Sequence, residues 1–333
     1  MVFDQEIKYI NMAEVQSEEI KWLWYPYIPY GKLTIMHGDG GCGKTFASLA
    51  IASALTKGEL LPEAHEPIEK GNVIFQTAED GLSDTIKPRL EQLGADCSRI
   101  VVIDESKSPL SLSDERLEKA IIDNRAKLLI IDPIQAYLGS KVDMHRANEV
   151  RPVLKKIGGV AERTGYAVVL IGHLNKGGGK SQYRGLGSID IVAAARSVLT
   201  FGRVNDDGLR AFAQGKANLA PEGDSIAFEM TPGKGFKWIG TYDVSIDTLL
   251  GNIPAIMGRP SFASSEAVEF LRAELADGRE VLASEIYEMA ENAGISERTL
   301  KRAKKELGAK AFRQDQKWYW RLCDDKNMEL NRS

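Results

Sequence analysis

Short apolar runs recur along the chain and alternate with stretches of helical periodicity. The runs are Leu33-Thr34-Ile35-Met36-His37, Asn72-Val73-Ile74-Phe75-Gln76, Ile100-Val101-Val102-Ile103, Leu128-Leu129-Ile130-Ile131-Asp132 and Ala167-Val168-Val169-Leu170-Ile171-Gly172-His173. Near-continuous apolar runs rich in β-branched residues predict strands covered on both faces, as in a parallel sheet. The intervening segments, Phe46 to Ala52, Asp80 to Leu93, Ser113 to Ala126 and Ala147 to Thr164, predict helices; Leu117, Ala120 and Ile121 share one face of the third. Strands alternating with helices predict an α/β core. Beyond His173 the pattern becomes strand-only at 197–202, 210–215, 225–230 and 236–239. Turn residues at Asn205-Asp206-Asp207-Gly208 and Pro232-Gly233 predict hairpins that close the far side of the sheet.

Gly251, Pro254, Gly258 and Pro260 mark a linker at 251–262. The expected organisation is an α/β domain at 1–250 (opened by an aromatic segment, 1–30), a small α+β domain at 263–325 and a tail at 326–333. In the small domain, helices are predicted at Ser264 to Ala276, Ala283 to Ala293 and Ser296 to Leu307. Gly294 makes a turn between the last two, and Ser296 is placed to cap the second. An aromatic hairpin follows, with Trp318 and Trp320 expected inward and Lys317, Tyr319 and Arg321 outward. This unit resembles a winged helix.

One segment carries explicit chemistry. Gly38-Asp39-Gly40-Gly41-Cys42-Gly43-Lys44-Thr45 reads G-x-x-x-x-G-K-[ST] between an apolar run and the helical pattern that starts at Phe46. Its glycines let backbone N–H groups turn onto phosphates, and the helix that follows presents its positive end to the same anion. Lys44 is placed for the β- and γ-phosphates and Thr45 for Mg²⁺, so ATP and Mg²⁺ are the expected cofactors. Asp132, after four apolar residues, fits the aspartate of a Walker B strand and is the expected partner of Thr45 at the metal. Pro133 follows it and cannot be a base. Glu79, just past the second run, is therefore the candidate to accept a proton from the attacking water, with Asp80 read as a helix N-cap. His173, at the end of the last run, is placed as a sensor of the γ-phosphate or as a structural histidine.

These blocks resemble RecA-like ATPases, and more closely the RepA-type hexameric helicases with their KaiC and DnaB relatives. The resemblance rests on Gly38–Thr45, Gln76-Thr77-Ala78-Glu79-Asp80, Leu128–Pro133, Ile171-Gly172-His173-Leu174-Asn175-Lys176, Tyr183 to Asp190, Ala193-Ala194-Ala195-Arg196 and Lys216-Ala217-Asn218, over residues 20–245. It implies a RecA-like core in a homo-oligomer, expected to be a hexamer, with ATP held between subunits. A neighbour then supplies positive charge to the transition state, for which Arg196 and Lys216 are the candidates. DnaB-like relatives carry Lys-x-Arg where this chain has Lys216-Ala217-Asn218, which leaves Arg196 or Arg203 for the arginine's role.

Composition adds limits. A net charge of −4 gives no whole-chain case for a nucleic-acid partner, so that case rests on local patches. Lys176, Lys180 and Arg184 lie in a glycine-rich loop without acids, as a phosphate-backbone contact needs. The companion loop from Gly139 to Arg151 mixes Lys141, Arg146 and Arg151 with Asp143 and Glu149. The segment from Ser296 to Lys310 carries a net +4, with Arg298, Lys301, Arg302 and Lys305 away from the apolar face. DNA, single-stranded in a pore or groove, is the expected partner. The leading expectation is a replicative or mobile-element helicase; the alternatives are a DNA-bound regulatory or partitioning ATPase and a recombination mediator. Three scattered cysteines and an acidic N-terminus without a signal-peptide pattern suggest a cytoplasmic protein with no membrane partner. Trp22, Trp24, Tyr25, Tyr27 and Tyr30 are read as cover for a core edge rather than as an adenine stack.

Overall fold

The computed structural model describes residues 9–140, 142–173, 189–204, 208–231, 235–251, 262–293, 295, 297–314 and 317–322; the side chains of 189, 231, 262–266, 277, 297, 298, 302, 305 and 306 also lie outside the description. The chain divides into two compact units, Met1–Gly240 with Val244–Ala255, and Thr241–Asp243 with Ile256–Ser333.

The first unit is built on a nine-stranded sheet. Its strands are β3 (Leu33–Gly38), β4 (Asn72–Thr77), β5 (Ile100–Val101), β6 (Ala126–Asp132), β7 (Ala167–His173), β8 (Ser197–Arg203), β9 (Leu209–Ala217), β10 (Ile226–Thr231) and β11 (Gly235–Thr241). Their spatial order is β11-β10-β9-β8-β3-β7-β6-β4-β5. From β8 to β5 neighbours run parallel, and β8, β9 and β10 pair antiparallel. A short hairpin, β1 (Trp22–Trp24) with β2 (Ile28–Pro29), precedes β3. The central strand β3 ends in the glycine loop, so the loop emerges between β7 and β8 at the carboxyl edge of the sheet, where α/β folds place ligands.

Alternation along the strands sends side chains to two cores. Met36, Leu128 and Ile130 join the core beneath α1 (Lys44–Lys57). Leu33, Ile35, Leu129 and Ile131 face the core under α3 (Glu115–Asp123), α4 (Ala147–Thr164) and α5 (Ile189–Ala194). Helix α1 is buried around almost its whole circumference, which matches its run of Ala, Leu and Ile and its weak amphipathicity. Trp24 and Tyr27 are buried in the first core against Phe212, with Trp24 also packed on Trp238, so these two aromatics do cover a core edge. Tyr25 stays exposed against Trp22.

Three local expectations change. The strand expected over 100–103 stops at Val101, because the buried Gln76 side chain takes over the backbone of Ile103: its Oε1 accepts from Ile103 N at 2.6 Å and its Nε2 donates to Ile103 O at 3.3 Å. The helix expected from Asp80 starts as a π turn at Leu82–Ile86 and continues as α2 (Lys87–Gln92). Asp80 is not its N-cap; Gly81 holds that position and the Asp80 carboxylate pairs with Arg89 at 2.9 Å.

The second unit holds α7 (Phe262–Glu274), β12 (Val281–Leu282), α8 (Ala283–Asn292), α9 (Glu297–Glu306), β13 (Lys310–Gln314) and β14 (Lys317–Arg321); α6 (Ile246–Leu249) belongs to the first unit. The order of its sheet is β12-β14-β13, antiparallel throughout. Ala267, Leu271, Ile286, Leu300, Ala303 and Trp320 form its core. Trp320 points inward as expected, but Trp318 is exposed: it sits opposite Arg313 near the hairpin end, beyond the reach of the core. Tyr319 is half-buried instead, stacked on Phe312. Gly294, Ser296 and residues 252–261 of the linker expected at 251–262 lie outside the described residues.

Candidate nucleotide site

The glycine loop has the backbone that its sequence demands. Gly41 and Gly43 adopt φ +72° and +90°, a region costly to side-chain-bearing residues. A Cβ on Gly43 would lie 2.6 Å from Met230 Sδ and 2.7 Å from Phe228 Cε2, so this position has neither the dihedral freedom nor the room for one. Lys44 opens α1 and is buried, its ammonium donating to Gly38 O at 2.8 Å and Asp39 O at 2.9 Å. The lysine thus closes the loop on itself and holds a cation where a phosphate chain would thread. Phe46 follows on the same helix and stacks on Phe236, with the Arg89 guanidinium over its ring. Cys42 is buried, 3.7 Å from Lys44 Nζ; burial pushes its thiol pKa up, which makes it a packing residue rather than an accessible thiol.

His37 lies under the loop. Burial, followed by the charge of Lys44, pushes its pKa down to about 4, so it stays neutral; its Nε2 hydrogen-bonds Thr200 Oγ1 at 2.8 Å. His37 therefore adds no positive charge beside Lys44.

Thr45 Oγ1 donates to Asp132 Oδ2 at 2.6 Å across the gap between α1 and β6. Burial raises the Asp132 pKa, and the Glu79 charge adds to this, while the Thr45 hydrogen bond lowers it. Buried carboxylates are paired, neutralised or bound to cations. Among the described residues no cluster of three or more His, Cys, Asp or Glu could hold a metal unaided. One carboxylate and one hydroxyl fit Mg²⁺, which takes the rest of its oxygens from phosphate and water, and do not fit an all-protein metal cage.

Glu79 and His173, 94 positions apart, are brought together: Glu79 Oε2 and His173 Nε2 are 3.2 Å apart at the ends of β4 and β7. Both remain accessible, as a base that works on water must be. Lys44, Thr45, Glu79, Asp132 and His173 therefore converge on one strand edge. Arg196 and Lys216 do not. They lie at the opposite ends of β8 and β9, with Gly38 beside Phe201 at the loop end. Along the strand Arg196 is five residues from Phe201, about 17 Å, and Lys216, paired with Val198, is three residues from it, about 10 Å. Lys216 Nζ donates to Val192 O and Ala193 O, both at 3.0 Å, and Arg196 is exposed.

Arg203 lies against its own loop, with Nη2 3.1 Å from where a Gly41 Cβ would stand. Arg210, which the sequence reading passed over, is there too, donating from Nε to Gly41 O at 3.2 Å. The signal was available, because Arg203 and Arg210 are equidistant from the centre of the turn predicted at 205–208.

Of the DNA-contact candidates, Lys176, Lys180 and Arg184 lie outside the described residues, as do the side chains of Arg298, Arg302 and Lys305. Lys301 is exposed on α9. In the companion loop the cations are neutralised locally: Arg146 pairs with Asp143 and Glu149, and Arg151 with the buried Asp190. Lys141 falls outside the described residues.

The profile of the AAA_25 family, described as an AAA domain, matches residues 7–179, a span that contains the glycine loop, Glu79, Asp132 and His173. Among solved structures the chain is similar to a KaiC-like protein from the hyperthermophilic archaeon Pyrococcus horikoshii OT3, with 19% identity over 63% of this chain and 90% of that one, at a TM-score of 0.45. No curated protein matches. Among the described residues no helix is long and apolar enough to cross a membrane.

Proposed function

The chain belongs to the AAA_25 family, and from that premise we propose that it is an ATP-hydrolysing, oligomeric RecA-like motor acting on DNA, a helicase of the RepA type. The observation that carries the ATPase part is the convergence of Thr45 with Asp132 and of Glu79 with His173 at the mouth of one P-loop. In this reading the amides of Gly41 to Lys44 hold the phosphates, and Lys44 leaves its two carbonyls for the β- and γ-oxygens. Thr45 and Asp132 hold Mg²⁺, which when bound offsets the charge that develops on the phosphates. Glu79 orients water in line with the γ-phosphorus and accepts its proton. The water oxygen bonds to that phosphorus, and the bond from phosphorus to the β–γ bridging oxygen breaks with its electrons leaving on ADP. His173, within hydrogen-bond reach of Glu79, carries the state of the γ-phosphate to the segment after β7.

The distance of Arg196 and Lys216 from their own loop supports an oligomer. Burial and the nearby Arg196 charge both lower the Lys216 pKa, so two cations are held close together at an edge where their own nucleotide cannot use them. A neighbouring copy's triphosphate is the complementary anion. The order helix–strand–helix–helix–strand–strand in the second unit supports a winged helix, and the +4 segment supports its contact with DNA. The test is ATP turnover and strand separation by a preparation whose oligomeric state has been verified. Single-stranded DNA should stimulate turnover; no stimulation together with no strand separation would overturn the DNA-motor reading.

A further inference from the structure

Two arginines press on the phosphate loop from the side of the sheet that the catalytic carboxylates do not occupy. Arg203 ends β8, and Arg210 is its direct cross-strand partner on β9, so their side chains share one face. Like charges in that position are unfavourable unless an anion joins them. Among the described residues neither forms an ion pair with a carboxylate. Arg210 is held from three sides, by Gly41 O at 3.2 Å, Gly208 O at 2.8 Å and Met230 O at 3.4 Å. Its Cδ stands 3.2 Å from where a Cβ on Gly43 would be. Its pKa is lowered by burial and then by the Arg203 charge. Arg203 is exposed, and it lines a cavity of about 240 Å³ with Asp39, Gly40, Gly202, Leu249 and Gly251. Asp39, the acid on that wall, is within ion-pair distance of neither guanidinium.

We propose that Arg203 contacts the phosphate chain of the nucleotide bound to its own subunit's P-loop, with Arg210 as the positioning residue that fixes Gly41 and sets the guanidinium of Arg203 beside it. The site then draws charge from two sources: Arg203 from the same chain, and the cations at the far end of β8 and β9 from a neighbour. Guanidinium suits this place because its fork of donors can bridge two phosphate oxygens while its charge stays fixed across the physiological range. The proposal rests on the P-loop assignment made above.

The probe is Mg²⁺ with a fluorescent ADP analogue, titrated into the full chain. Arg203→Gln should weaken binding about tenfold, the loss of one charge-assisted contact, and Arg203→Lys should recover part of it. Lys44→Ala is the control: if it binds the probe as the wild type does, the P-loop assignment fails, whatever Arg203 does. Arg203→Gln is then mixed with Lys44→Ala, which keeps Arg203 but lacks a working loop. Affinity that stays low in mixed oligomers supports action within the chain. Affinity restored by the Lys44→Ala chains would show that Arg203 serves a neighbour and would overturn the proposal, as would wild-type affinity of Arg203→Gln alone. A melting temperature close to that of the wild type establishes that the Arg203 variants are folded.

Discussion

Replacing Lys44 with methionine separates what the lysine does for the fold from what it does for the ligand. The ammonium is buried and donates to two carbonyls at 2.8 and 2.9 Å. Hydrogen bonds from a charged donor contribute about 1.5–3 kcal/mol each, so the pair supplies about 3–6 kcal/mol. Burying the cation costs several kcal/mol in the opposite direction. The two effects offset, and methionine fills a similar volume with a flexible apolar chain, so the fold should change in stability by no more than about 1–2 kcal/mol. Nucleotide binding moves the same two donor bonds from neutral carbonyls to anionic phosphate oxygens, so only the surplus counts; at about 1.5 kcal/mol per bond this is about 3 kcal/mol, roughly a hundredfold in affinity. Urea denaturation followed in parallel with calorimetric titration of Mg²⁺ and ATP measures both quantities on one preparation. Lys44→Met should have a midpoint near that of the wild type and a Kd for ATP about a hundredfold higher. A folded Lys44→Met that binds ATP within threefold of the wild type would refute the assignment of this loop as the phosphate site.

Asp132→Asn should give effects of opposite sign with and without ligand. Burial raises the carboxyl's pKa, so the folded state favours its protonated form; that stabilisation is complete below the ordinary carboxylate range and is lost as pH rises through the raised value. At neutral pH, without nucleotide, Asp132→Asn should therefore melt higher than the wild type, with the gap closing in acid, while Mg²⁺ and ATP should raise the Tm of the wild type alone; a variant less stable at neutral pH would contradict the burial argument. Glu79→Gln should bind ATP with near-normal affinity and turn it over at least a hundredfold more slowly, as loss of a general base predicts; normal single-turnover hydrolysis would place the base elsewhere. Gly43→Ala should lose nucleotide binding and stability together, because its Cβ would meet Met230 and Phe228 in a left-handed backbone; a thermal melt and an ATP titration matching the wild type would contradict the loop geometry.

The loop and its flanks were legible because they are local. Glycine spacing, an apolar run and a helical run occupy consecutive residues, and the structure needs Gly41 and Gly43 in backbone regions that other residues resist. Strands β6 and β7 were legible for a related reason: burial on both faces leaves Leu128–Ile131 and Val168–Ile171 without a polar position to blur the run. What escaped depends on partners distant in sequence. β5 is short because a side chain on β4, Gln76, binds the backbone of Ile103. Asp80 looked like a cap until Arg89, on the helix it was expected to start, took its carboxylate. Trp318 and Trp320 have the same strand parity, yet only Trp320 reaches the core. Arg203 and Arg210 meet through the register of a hairpin, which makes one sheet face out of two residues that the sequence holds apart.

In the proposed function each ATP site is completed by a second copy of the chain. Lys44→Ala lacks the loop but keeps the cations at the far end of β8 and β9; Arg196→Gln combined with Lys216→Gln keeps the loop and lacks those cations. Each preparation alone should be inactive. When they are mixed under conditions where native mass spectrometry detects mixed oligomers, ATP turnover should reappear at interfaces that pair an intact loop with intact cations. Mixed oligomers that remain as inactive as their parents, or an Arg196/Lys216 double variant that hydrolyses ATP like the wild type by itself, would contradict it.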